Sequence, residues 1–159
     1  MTADDAQRIL AVHGRRGAAL ALAIAGLGSL LGSFQPWALC TTTGCDGFLQ
    51  SFSERSGIAF GHGLVTAIAA ILLVVIGIDA LRRHGVTRWG TPATLLALVV
   101  VVTVIAFVIG VYVFADGSLH LSDGGPSLGT YLAGLGGLIA LVASLRLGRA
   151  SRSSPKVLQ

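Results

Sequence analysis

The sequence predicts an all-α fold: an integral membrane four-helix bundle with both termini cytoplasmic and its first outer loop closed by a disulfide. Three observations predict it. The 159-residue chain is 53% hydrophobic and only 11% charged, with a mean hydropathy of +0.82, whereas a soluble domain is about 25% charged. Four apolar runs approach or exceed the roughly 20 residues a helix needs to cross the hydrocarbon. Ten of the eleven Lys and Arg residues fall on one side of those runs.

The elements follow in order. Residues 1–16 form a cytoplasmic juxtamembrane segment, in which Thr2 caps a short helix with Asp5 in its first turn and Ala6, Ile9, Leu10 and His13 make a modest apolar face. Residues 17–147 form the membrane domain. Its spans are GAALALAIAGLGSLLGSF at 17–34, FGHGLVTAIAAILLVVIGIDAL at 60–81, PATLLALVVVVTVIAFVIGVYVF at 92–114 and LGTYLAGLGGLIALVASLRL at 128–147. The third is the strongest, its Leu, Ile, Val and Phe residues contributing on the order of −6 kcal/mol to insertion. So many Val residues would suggest a strand in water; in lipid, length and unbroken apolarity favour a helix. Residues 148–159 form a basic, Ser-rich cytoplasmic tail. Span one reads as a retained helix, because SFQPWALC is a poor signal-peptide cleavage site.

Orientation follows from the cations. Arg8, Arg15, Arg16, Arg82, Arg83, Arg88, Arg146, Arg149, Arg152 and Lys156 all flank one side, and Arg55 alone lies on the other. The positive-inside rule then places both ends and the RRHGVTRWG turn in the cytoplasm, with loops 35–59 and 115–127 outside. Trp37, Phe60, Tyr112 and Tyr131 are expected at the outer interface and Trp89 at the inner one. The excess of Arg over Lys, associated with GC-rich coding, suggests a bacterial plasma membrane. Arg15, Arg16, Arg82, Arg83, Arg88 and Arg149 are the expected contacts for anionic lipid headgroups. The cations form no continuous stripe, which argues against nucleic acid despite a pI near 9.8.

Helices in lipid associate through close packing of small residues. Span one offers Ala18, Ala21, Ala25, Gly28 and Gly32, and span four Gly129, Ala133, Gly136, Ala140 and Ala143, each at alternating spacings of three and four. These seams are expected to hold the bundle, although one of them facing a second copy, in a homo-oligomer, is the alternative. Span two adds Gly63, Thr66, Ala70 and Gly77. Apart from Arg146 and the tyrosines, Asp79 and His62 are the ionisable residues within the spans, and both lie near ends. Asp79 precedes Arg82 and Arg83 by three and four residues, so an ion pair on one helix face is expected. Ion-coupled carriers need ionisable groups or broken helices at mid-depth, and these spans supply neither.

The first outer loop holds both cysteines, in PWALCTTTGCDGFLQSF. In an oxidising space Cys40 and Cys45 should form a disulfide, a small ring worth roughly 2 kcal/mol. Asp46 then caps a short helix that presents Phe48, Leu49 and Phe52, together with Trp37, to a partner, and Ser56 caps span two. Gly124, Gly125 and Pro126 are expected to make a turn before span four. A metal site drawn from His62, His120, Asp116 and Asp123 lacks any strong ligand spacing, so neither metal nor cofactor is expected. Quinone-coupled thiol oxidases and the vitamin K epoxide reductase family use a C-x-x-C pair, whereas this chain has C-x4-C and no second pair. Trp37, Cys40 and Cys45 resemble the Trp-x2-Cys motif, with a later cysteine, of claudins and related four-span organisers. This chain departs from them in its closer cysteine spacing and shorter loop. The resemblance covers about a dozen residues plus the topology and implies an organiser or accessory role.

The functional expectation is a non-enzymatic accessory or scaffolding subunit of a larger envelope complex, such as a lipid transporter or a respiratory complex, bound to other membrane subunits. A thiol–quinone oxidoreductase and a small homo-oligomeric channel are the alternatives.

Overall fold

The computed structural model describes residues 3–40, 56–59, 61–83, 89–114 and 124–152. Four helices, α1 (Ala3–Phe34), α2 (Gly61–Arg82), α3 (Gly90–Phe114) and α4 (Leu128–Arg152), account for most of them. All four are long and apolar enough to cross a membrane. Two short strands, β1 (Ala38–Cys40) and β2 (Gly124–Pro126), and a 3-10 turn at Gly57–Ala59 lie between them.

The helices form a closed ring. α1 packs most extensively on α4, then on α2; α3 completes the ring by packing on α4 and, least extensively, on α2. The alternation puts residues 12–17, 79–83, 89–94 and 144–149 at one end, here the basic end, and residues 35–40, 56–63 and 124–130 at the other, the loop end.

Side-chain size is sorted across the bundle. The centre is filled by Ala19, Leu22, Leu73, Val100, Ala140 and Leu147, contributed by all four helices. Toward the loop end Val104, Phe107, Val111, Ala133 and Trp37 continue the core. The outer faces carry Ile24 and Leu31 of α1, Ile68 and Val75 of α2, Val102, Ile105 and Ile109 of α3, and Leu135 and Val142 of α4, each more than half exposed. A monomer in water rarely exposes a contiguous apolar patch above a few hundred Å²; here the belt encircles the bundle. With small residues between helices and large aliphatics outside them, this is the build of a multi-pass membrane protein.

Several local features differ from sequence expectation. α1 is one continuous helix of 32 residues, so the juxtamembrane segment and the first span form a single rod. Gly124–Pro126 is not a turn but an extended strand, antiparallel to β1, with Ala38 opposite Pro126 and Cys40 opposite Gly124. The cap of α4 is Ser127, whose Oγ accepts from the Gly129 amide at 3.3 Å. Ser56 does not cap α2. It bridges to Pro36 and opens the 3-10 turn, accepting from Ala59 N at 3.0 Å.

Candidate functional site

Three features of the described residues bear on function: a plug at the loop end, an α1/α4 seam, and a groove at the basic end.

The plug is Trp37. Pro36 follows the end of α1 and cannot continue it, and the chain turns inward. The indole is 1% exposed. Its Nε1 donates to Gly32 O at 3.1 Å, and its ring meets Phe107 edge-on with centroids 5.1 Å apart. Its carbonyl accepts from Thr130 Oγ1 at 2.5 Å and from Ser127 N at 3.0 Å. Ser127 Oγ donates to Pro36 O. The 3-10 turn closes over the indole: a methyl group on Gly57 would overlap Nε1 and Cδ1 of Trp37, and one on Gly63 would overlap the Gly57 carbonyl. Gly57 N donates to Gln35 O at 2.9 Å, which ties the two ends of the first loop together through backbone. Trp37 was expected on a partner-facing surface. The structure corrects this: the indole is enclosed, with Gly57 leaving room for its ring and Gly63 leaving room for the Gly57 carbonyl above it. In the sequence, Trp37 after a proline reads equally well as an interfacial aromatic.

At the contact between α1 and α4, Gly32, Gly129 and Gly136 approach the facing backbone around Ala133, Pro36 and Ala25. A Cβ on Gly32 would stand 2.7 Å from Ala133 N, and one on Gly129 would stand 2.6 Å from Pro36 O. A Cβ on Gly136 would stand 2.7 Å from Ala25 O and would also overlap the Ser29 hydroxyl. Two members behave differently. Gly28 has no neighbour within 4 Å of its Cβ position, and the seam position is taken by Ser29, whose hydroxyl donates to Ala133 O at 3.1 Å. Ala21 is only partly buried and packs against the central cluster, where Ala140 is fully enclosed. The missed signal is polar: Ser29, Ser33 and Thr130 are small hydroxyl residues sealed between helices, and a search for Gly and Ala alone passes over them. A second face of α1 meets α2, with Gly26 against Val74 and Ala70 and Gly77 against Ala23.

At the basic end Arg16, Arg82, Arg83 and Arg149 are exposed and Arg15 is half-buried. Arg83 Nε lies 3.0 Å from Asp79 Oδ1, the expected ion pair. Beside it a groove of about 670 Å³ runs between α2 and α3. A second groove, of about 530 Å³, lies on the outer side of the α1/α4 contact and ends at Arg146. Trp89 is 51% exposed at this end and Tyr131 65% exposed toward the other.

His62 is exposed at the start of α2, with its ring 6.2 Å from Phe107. Among the described residues no group of three or more His, Cys, Asp and Glu gathers as a metal site. Cys45, Phe48, Leu49, Phe52, Arg88, His120 and Asp123 lie outside the described residues, as does the pairing of Cys40 with Cys45. Comparisons with family models, curated proteins and solved structures give no match to this chain.

Proposed function

We propose that the protein is a non-enzymatic accessory or scaffolding subunit of a larger envelope assembly, such as a lipid transporter or respiratory complex, in a bacterial plasma membrane with both termini cytoplasmic. The observation that supports this reading is the contrast between inside and outside. The interior is filled by Leu22, Leu73, Val100 and Leu147, all fully buried, and is stoppered at the loop end by Trp37. A filled, stoppered bundle offers ions no central aqueous path. Among the described residues the surface that remains available is external: the apolar belt and the grooves between helices.

In this reading the first loop, held by the Cys40–Cys45 clip and by the backbone ties from Gln35 to Gly57, presents Phe48, Leu49 and Phe52 to a membrane partner. The basic end fixes orientation through anionic lipid. Replacing Phe48 and Phe52 with Ala should release the partner while leaving membrane insertion intact; retained stoichiometric co-purification of the double variant counts against this surface. Replacing both cysteines with Ser separates the subunit reading from a thiol–quinone oxidoreductase. A clip loses stability and keeps partner binding, whereas a redox pair loses all quinone-coupled thiol oxidation.

A further inference from the structure

The groove between α2 and α3 lies between the least extensively packed pair of neighbouring helices. Its walls are aliphatic, including Leu72, Val75 and Leu95, and its basic end is closed by Asp79, Arg83 and Trp89. An apolar trough of about 670 Å³ ending in one acid–base pair and an interfacial Trp has the polarity profile of a single amphiphile lying along the bilayer normal.

The polar end discriminates between headgroups. Asp79 and Arg83 touch through one oxygen and one nitrogen. The Asp79 side chain is 30% exposed beside the groove, and its Oδ2, covered in this rotamer, has no hydrogen-bond partner among the described residues. A turn of the carboxylate presents that oxygen to the groove, where a ligand N–H supplies the donor it lacks. Arg83 uses only Nε on Asp79, and a guanidinium has five N–H donors to offer, a geometry suited to phosphate. A purely anionic headgroup would meet Arg83 but would bring no cation to Asp79. A choline headgroup brings the positive charge without an N–H. A phosphoethanolamine headgroup supplies a phosphate for Arg83 and an ammonium donor for Asp79, matching both charges.

We infer that the α2/α3 groove is a binding site for a phosphatidylethanolamine of the leaflet at the basic end, with an acyl chain in the trough and the headgroup bridging Arg83 and Asp79. This site is independent of the subunit reading and needs no partner protein.

The experiment uses the full chain reconstituted in phosphatidylcholine bilayers containing brominated-chain lipids, with tryptophan quenching as the readout. The chain has two Trp residues, and Trp89→Phe identifies the component from the groove. Brominated phosphatidylethanolamine should displace phosphatidylcholine at Trp89 with a preference of about threefold, the size expected of a half-exposed charge contact. Asp79→Asn should reduce that preference to parity while unchanged Trp37 emission reports an intact fold. Val75→Phe, which fills the trough and leaves the charged pair in place, should lower quenching by every lipid alike. Equal quenching by phosphatidylethanolamine and phosphatidylcholine would overturn the inference and make the groove ordinary annular surface. Preference for phosphatidylglycerol would overturn it in favour of a simple cationic site. Protection from all lipids would overturn it in favour of a protein occupant.

Discussion

Gly57→Ala is the substitution that most sharply tests the plug. The added methyl would overlap Nε1 and Cδ1 of Trp37 and lie 2.9 Å from Ser33 O. The indole cannot simply swing aside. Moving it breaks the 3.1 Å bond to Gly32 O, worth about 1 kcal/mol, and the edge contact with Phe107, worth about 0.5–1.5 kcal/mol. The expected loss is therefore about 2 kcal/mol, within the range for overpacking a filled site. Trp37→Ala should cost about 3–5 kcal/mol by emptying the socket. The two effects should not add. With the indole gone the methyl added at position 57 no longer meets the ring and only its approach to Ser33 O remains, so the double variant should be less destabilised than the sum by about 1–2 kcal/mol, a coupling expected only of residues in contact. The assay is reversible denaturation in mixed micelles followed by circular dichroism, run on the wild type, both single variants and the double variant. Additivity within about 0.5 kcal/mol would refute direct contact between the turn and the indole and would return Trp37 to the protein surface.

The remaining predictions concern the seam, the belt and the first loop. Gly136→Ala should destabilise the bundle by about 1–3 kcal/mol, because its methyl meets Ala25 O and the Ser29 hydroxyl. Gly28→Ala, with nothing near it, should be neutral or stabilising by up to about 1 kcal/mol through helix propensity; the same micelle denaturation checks both. Ser29→Ala removes one interhelical bond and should cost about 0.6 kcal/mol, the average for such bonds in a membrane protein. Ile105→Arg, at a position 51% exposed in the middle of α3, should penalise insertion of that span by about 3 kcal/mol. Glycosylation mapping should show part of the population failing to insert, whereas a water-facing Ile105 would tolerate the change. On the proposed Cys40–Cys45 pairing, Cys40→Ser should lower stability by roughly 2 kcal/mol without loss of membrane insertion, measured by alkaline extraction; unchanged stability would count against the pairing.

Span positions were legible because lipid imposes a length and a continuous apolarity that single residues cannot imitate. The predicted spans end within one residue of α1, α2 and α3 at Phe34, Arg82 and Phe114. The starts of α2 and α4 lie within one residue of expectation and that of α3 within two, whereas α4 runs five residues past 147 and α1 starts far earlier than 17. α1 begins at Ala3 because Ala, Gln, Leu and Arg in the first half are good helix formers, and hydropathy is blind to a helix that leaves the membrane and continues. The seam was half legible. Spacing identified Ala25, Gly32 and Gly136, yet it assigned Gly28 to an interface that Ser29 occupies. A run of small residues fixes a helical face only to within about one position, and the facing helix decides the rest. The socket was not legible, because it joins Gly32, Trp37, Gly57 and Phe107 across three separate segments. Nor was the pairing of β1 with β2, since two three-residue strands, one of them Gly-Gly-Pro, are too short to carry an alternation.

The most direct test of a role carried by outer contact surfaces is native mass spectrometry of the chain extracted gently from its own membrane. A subunit should emerge in fixed stoichiometry with a different membrane protein, and Phe48→Ala with Phe52→Ala should strip that partner while the chain itself stays folded and inserted. A monomer or homo-oligomer that carries no partner yet conducts ions or oxidises thiols in liposomes would contradict it.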